Sequence, residues 1–137
     1  MRTSMKTMAC LVTTISLLLL ILPSNALNAQ GRGTVKRLKF APGTSSAIVK
    51  GIVTKDAQVT YQLEAKKGQH MRVKLIGKAK NNDVVLAEIQ GPNGESLLNE
   101  MDDSWSGKLP RTGLYSIAIG LIESKSGSYT LEVIITN

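Results

Sequence analysis

The sequence predicts an all-β fold, an antiparallel β-sandwich of about eight strands. Three observations carry this. Apolar and polar residues alternate in short stretches, clusters of Gly, Pro, Asn and Ser separate nearly all of those stretches, and no segment has a convincing helical period. Many short strands at such spacing argue for a sandwich.

The N-terminus comes first and is not part of that fold. Arg2 and Lys6 precede an apolar run from Leu11 to Leu22. The run is too short, and too interrupted by Thr13, Thr14 and Ser16, for the ~20 residues of a membrane span. A secretory signal peptide over 1–29 is expected, with Pro23 ending the run. Cleavage falls after Ala26, in the small-x-small context Ser24-Asn25-Ala26, or after Ala29. Cys10, the only cysteine, lies before most of the apolar run; it is a poor lipid-attachment site and leaves with the leader. The mature chain, 30–137, then reads as a single domain without a disulfide or a membrane span, in a periplasmic or secreted location.

Past a polar leader from Gln30 to Gly33, strands are expected near 34–40, 46–53, 57–65, 70–77, 83–90, 95–99, 114–121 and 128–135. Turn signals separate nearly all of them: Pro42-Gly43, Lys67-Gly68, Asn81-Asn82-Asp83, Gly91-Pro92-Asn93-Gly94, Pro110-Arg111-Thr112-Gly113 and Ser126-Gly127. In the third strand Val59, Tyr61, Leu63 and Ala65 share one face, and in the fourth Met71, Val73 and Leu75 repeat that apolar phase, while His70, Arg72 and Lys74 point away. Between them Gly68 supplies a positive φ, so local physics reads "AKKGQHM" as a β-hairpin whose two strands face one core. Tyr115, Ile117, Ile119 and Leu121 alternate, as do Tyr129, Leu131, Val133 and Ile135. Aromatic residues are few, so Val, Ile and Leu must supply most of the core.

Charge is unevenly placed. From 30 to 80, twelve Lys and Arg stand against Asp56 and Glu64; from 81 to 137, Lys108, Arg111 and Lys125 stand against eight carboxylates. Such asymmetry favours an anionic partner. For an exported protein that partner is a cell-wall polymer, lipopolysaccharide or an acidic protein cleft rather than nucleic acid. The other reading makes basic and acidic strands neighbours that form ordinary solvated faces.

Catalytic chemistry is hard to find. His70 is the only histidine, on a polar strand face beside Arg72 and Lys74, with no mature cysteine to accompany it. A catalytic triad or a zinc cluster is excluded on inventory. Asp102-Asp103, with Glu100 nearby, is the only acidic cluster, but adjacent residues of an extended chain point opposite ways. It reads as a solvated loop, or as a weak calcium site lacking a dedicated ligand set. The expectation is a non-enzymatic protein without a cofactor. Trp105, in "DDSWSG", has two readings: an exposed anchor for a sugar or a partner's groove, or a lid that closes the end of a core short of other rings.

The strings "FAPGTSSAIVKG" (40–51), "AKKGQ" (65–69), "GPNG" (91–94), "GKLPRTGLY" (107–115) and "YTLEV" (129–133) occur in the order seen in bacterial pre-peptidase C-terminal-like domains. Within that group the chain most resembles the periplasmic inhibitors of g-type lysozyme, from about Phe40 to the end. The resemblance implies a secreted, jelly-roll-like sandwich without cofactor that blocks the peptidoglycan-cutting cleft of a g-type lysozyme with loop side chains. In that family the loop before the last strand is longer and more basic, whereas "IESKSGS" (122–128) offers one lysine. The recognition surface is therefore expected on the turn-rich loop from Asp102 to Lys108, with Asp103, Ser104, Trp105 and Arg111. The alternative partner is peptidoglycan or another anionic glycan, met by a cell-envelope binding module.

Overall fold

The structure, a computed structural model, describes residues 33–76 and 83–137. The expected leader lies outside the described residues, as does most of the Asn81-Asn82-Asp83 turn. Among the described residues there are eight strands: β1 Thr34–Arg37, β2 Ser46–Thr54, β3 Val59–Ala65, β4 His70–Ile76, β5 Val84–Gln90, β6 Ser104–Lys108, β7 Gly113–Leu121 and β8 Ser126–Thr136. They form two four-stranded sheets, ordered β1-β3-β7-β5 and β2-β8-β4-β6. Odd-numbered strands make one sheet and even-numbered strands the other. Each step from one strand to the next therefore changes sheets.

That alternation corrects the hairpin reading of "AKKGQHM". β3 and β4 both face the core, as their apolar phase requires, but they never pair. Ala65 pairs with Gly113 of β7, and His70 lies between Thr136 of β8 and Lys108 of β6. The segment between them is an arch from sheet to sheet. Gly68 does adopt the expected positive φ, 88°. Its N–H donates to the Leu109 carbonyl at 2.9 Å, on a different connection.

A second correction concerns 95–109. The strand expected at 95–99 is absent: Ser96 makes a single bridge to Gln90, and the Leu97 N–H donates to the Ile89 carbonyl at 2.7 Å. The loop expected from Asp102 to Lys108 is instead largely the edge strand β6, paired with β4 from His70↔Lys108 to Lys74↔Ser104. An edge strand bonds on one side only. Trp105 on the inward side and Ser104, Ser106 and Lys108 on the exposed side satisfy its alternation with one large apolar residue. β1 departs from the antiparallel rule, pairing parallel with β3 because the chain crosses to β2 and back between them.

The core lies between the sheets. Leu63, Ile89, Ile117 and Ile119 from one side and Met71, Val73, Leu131 and Val133 from the other are fully buried. Each such aliphatic side chain stabilises the fold by roughly 1.5–3 kcal/mol. Tyr61 and Tyr129 meet edge to face across the core, their hydroxyls sharing a hydrogen bond of 2.8 Å. Burial, and then that bond, push the Tyr129 phenol upward. No helix of the described residues is long and apolar enough to cross a membrane.

Candidate functional site

The fold gathers three connections at one end. The arch 65–70, the turn after β5 and the connection from β6 to β7 contain the strings "AKKGQ", "GPNG" and "GKLPRTGLY", distant in sequence and adjacent in space. Backbone bonds join them: Gly68 N–H to the Leu109 carbonyl at 2.9 Å, and Leu109 N–H to the Gln69 carbonyl at 2.7 Å. The Lys67 N–H donates to Thr112 Oγ1 at 2.9 Å.

Tyr115 fixes the β6–β7 connection from below. Its ring is fully buried; its hydroxyl donates to the Arg111 carbonyl at 2.6 Å and accepts from the Arg111 N–H at 3.2 Å. This is the tyrosine-corner arrangement of β-sandwiches. Gly113, at φ 152°, is required twice. Its backbone angle disfavours other residues, and a Cβ there would lie 2.8 Å from the Pro92 ring. Glu95 completes the joint. Its Oε2 accepts from the Asn93 N–H at 2.9 Å, and its Oε1 lies 3.4 Å from Arg111 Nε.

The result is a stiff end with exposed cations at Lys66, Lys67, Lys108 and Arg111, all held by connections that brace one another. A cleft of about 480 Å³ opens beside the arch, lined by residues including Lys66, Gln69, Thr112 and Leu114. Rigid loops on a sandwich are suited to recognition because little ordering entropy is lost on binding.

The six residues expected to form one recognition surface do not converge. Lys108 and Arg111 stand at the end just described. Asp102 and Asp103 lie beyond the other end of β6, a strand whose five residues separate them by roughly 14 Å or more at ~3.4 Å per residue. There the backbone splices the two sheets: the Asp102 carbonyl accepts from Leu86 N–H on β5, and the Asp103 carbonyl from Leu75 N–H on β4, each at 2.8 Å. Trp105 is half-buried and packs against the core cluster. Its ring lies over Gly107, where a Cβ would come within 2.7 Å of it. That inward, partly buried placement is what the lid reading expects, although the residue also keeps some exposure. Ser104 and Ser106 sit on the outer sheet face with Arg72 and Lys74.

Sequence reasoning missed Lys66, Lys67 and Glu95 as partners of Arg111. The available signal was the shared turn chemistry of the three strings, but their meeting depends on strand order, which alternation does not encode.

At the opposite end Asp83 organises the β7–β8 connection. Its Oδ2 accepts from the Ser124 N–H at 2.6 Å and from the Glu123 N–H. The Ser124 side chain and these backbone donors together hold the Asp83 carboxyl down at about 2.

Comparison with known proteins gives one consistent signal. No family model matches the chain, and no curated protein matches it in sequence. Among solved structures, the periplasmic inhibitor of g-type lysozyme from Aeromonas hydrophila is 27% identical, with a TM-score of 0.68 over 77% of this chain and 99% of its own. The corresponding inhibitor of Salmonella Typhimurium is 21% identical, with a TM-score of 0.59 over 76% of this chain and 99% of its own. A mutant of the Escherichia coli inhibitor is 22% identical, with a TM-score of 0.55 over 76% and 98%. The architecture is thus that of the periplasmic g-type lysozyme inhibitors, as the sequence motifs suggested.

Proposed function

We propose that this chain is an exported, non-enzymatic inhibitor of g-type lysozyme that acts in the periplasm. One observation carries the reading: the structural likeness extends over 99% of the Aeromonas hydrophila inhibitor, at a TM-score of 0.68. The braced end supplies the chemistry. A glycosidase cleft commonly presents carboxylates to its substrate, and Lys66, Lys67, Lys108 and Arg111 are cations on connections that need no reordering to meet them. Of the six residues expected from sequence, Lys108 and Arg111 belong to this surface. The carboxylates of Asp102 and Asp103 would be repelled by such a cleft, and they stand at the far end of β6.

The test mixes purified mature protein with g-type, c-type and i-type lysozymes and follows lysis of peptidoglycan. Inhibition of the g-type enzyme is expected, and a fully active g-type enzyme removes the reading. Periplasmic action also requires export. Protein recovered outside the cytoplasm should begin at Leu27 or Gln30 by mass spectrometry, and an intact Met1 would count against a cleaved leader.

A further inference from the structure

The loops leave one large surface unused, the outer face of the β2-β8-β4-β6 sheet. Strand register arranges it in rows. Thr136, His70 and Lys108 stand side by side, then Ile134, Arg72 and Ser106, then Ile48, Glu132, Lys74 and Ser104, and then Lys50, Thr130 and Ile76. The β4–β6 half is basic. His70, Arg72, Lys74 and Lys108 are all exposed, and Ser104 and Ser106 place hydroxyls beside them. In the β2–β8 half, Ile134 adjoins Arg72, and farther out on β2 Ile48 is 58% and Ile52 68% exposed. Glu132 is the one carboxylate at the outward strand positions of this face. Two depressions, of about 330 and 140 Å³, cross it and share Arg72. The first is lined by Arg72, Lys74, Ser104, Trp105 and Ser106, the second by His70, Arg72, Ile134 and Thr136.

We propose that this face binds the acidic stem peptides of peptidoglycan and so holds the protein on the cell wall. Outward residues of a strand recur every ~7 Å, so His70, Arg72 and Lys74 form a cationic strip about 14 Å long. A strip of that kind matches an extended polymer with repeated carboxylates better than a compact ligand. Arg72 beside Ile134, with Ile48 exposed farther along the face, suits a peptide that alternates alanine with acidic residues. The hydroxyls of Ser104 and Ser106 supply donors for its carbonyls. The surface meets the braced end only at the His70–Lys108 row, Arg72 and Lys74 lie away from it, and the inference does not depend on the inhibitor reading.

The experiment is co-sedimentation of the mature protein with purified sacculi, with sacculi stripped of stem peptides by an amidase, and with lipopolysaccharide vesicles. The parent is expected to pellet with intact sacculi, and to be released near 1 M salt, where screening acts within ~3 Å. It should leave the stripped strands and the vesicles largely unbound. Arg72→Gln with Lys74→Gln should weaken pelleting by roughly tenfold, while Lys36→Gln with Lys39→Gln, an equal charge loss away from the face, should keep it. Both double variants should retain the parent's melting temperature and its effect on lysozyme. The proposal is overturned by salt-insensitive pelleting of the parent, by equal binding to stripped strands or to vesicles, or by equal losses in the two variants. Loss of lysozyme inhibition in the Arg72/Lys74 variant also overturns it, because the face would then belong to the enzyme. A parent that pellets as expected and inhibits nothing leaves the wall surface standing and removes the inhibitor reading alone.

Discussion

Replacing Tyr115 by Phe tests whether the braced end is held as described. The change keeps the buried ring and removes only the hydroxyl, which donates to the Arg111 carbonyl at 2.6 Å and accepts from its N–H at 3.2 Å. Each lost bond costs about 1 kcal/mol net, and the two backbone groups left behind are only part-buried, so water replaces some of what is lost. The expected destabilisation is about 2 kcal/mol. For a domain of about 100 residues, 1 kcal/mol moves the melting temperature by ~4–8 °C, so a fall of about 10 °C is expected by calorimetry. A melting temperature within 2 °C of the parent would refute the corner as a brace. A second readout separates brace from function: at a temperature where Tyr115→Phe remains folded, its inhibition of g-type lysozyme should weaken several-fold, because Arg111 is no longer presented in one position. If stability falls and inhibition does not, the brace stands and Arg111 is not a contact.

Three further outcomes follow from the same geometry. Trp105→Ala should lower stability by about 2 kcal/mol, less than a fully buried Trp would, since the ring packs half-buried over Gly107, and urea unfolding should register this with little change in inhibition by the folded fraction. Gly113→Ala should cost more than Gly68→Ala: the first adds a clash with Pro92 to an unfavourable φ, whereas at Gly68 nothing lies within 4 Å and only the φ of +88° opposes a side chain, at about 1 kcal/mol, as paired melting curves would report. Asp83 makes stability depend on acid: its folded pKa of about 2 lies below the ordinary carboxylate 3.8, so its contribution is present above pH ~4 and is lost as pH falls through about 2. Asp83→Asn should flatten that part of the stability profile.

Alternation made most of the core legible. Val59, Tyr61, Leu63, Met71, Val73, Ile117, Ile119, Leu131 and Val133 all point inward as their spacing requires, because a half-buried strand must place apolar residues two apart. The same signal is silent on neighbours. A hairpin and an arch put identical residues of β3 and β4 on the core side, and what distinguishes them is strand pairing and the donors of Lys67 and Gly68, directed at Thr112 and Leu109. The sixth strand was obscured for a related reason. "SWSGK" carries turn-forming residues and a single large apolar one, which is all an edge strand needs, while "ESLL" carries two leucines that pack on the core from a segment making only isolated bridges. Misreading that pair merged Asp102 and Arg111 into one loop.

The strand order that defeats local reading also explains how the chain presents a defined cationic surface. Because successive strands lie in different sheets, connections far apart in sequence arrive at the same end and bond to one another. The arch that carries Lys66 and Lys67 is tied to Thr112 and Leu109 by the Lys67 and Gly68 N–H groups, and Arg111 is tied to Tyr115 and Glu95. The exposed Arg111–Glu95 pair adds little to stability by itself. Its consequence is positional: Glu95 restrains one face of the guanidinium while the other remains available to a partner's carboxylate. A single long loop would have to lose its freedom on binding to achieve the same placement. Here that cost is met on folding, by bonds that the sandwich forms in any case.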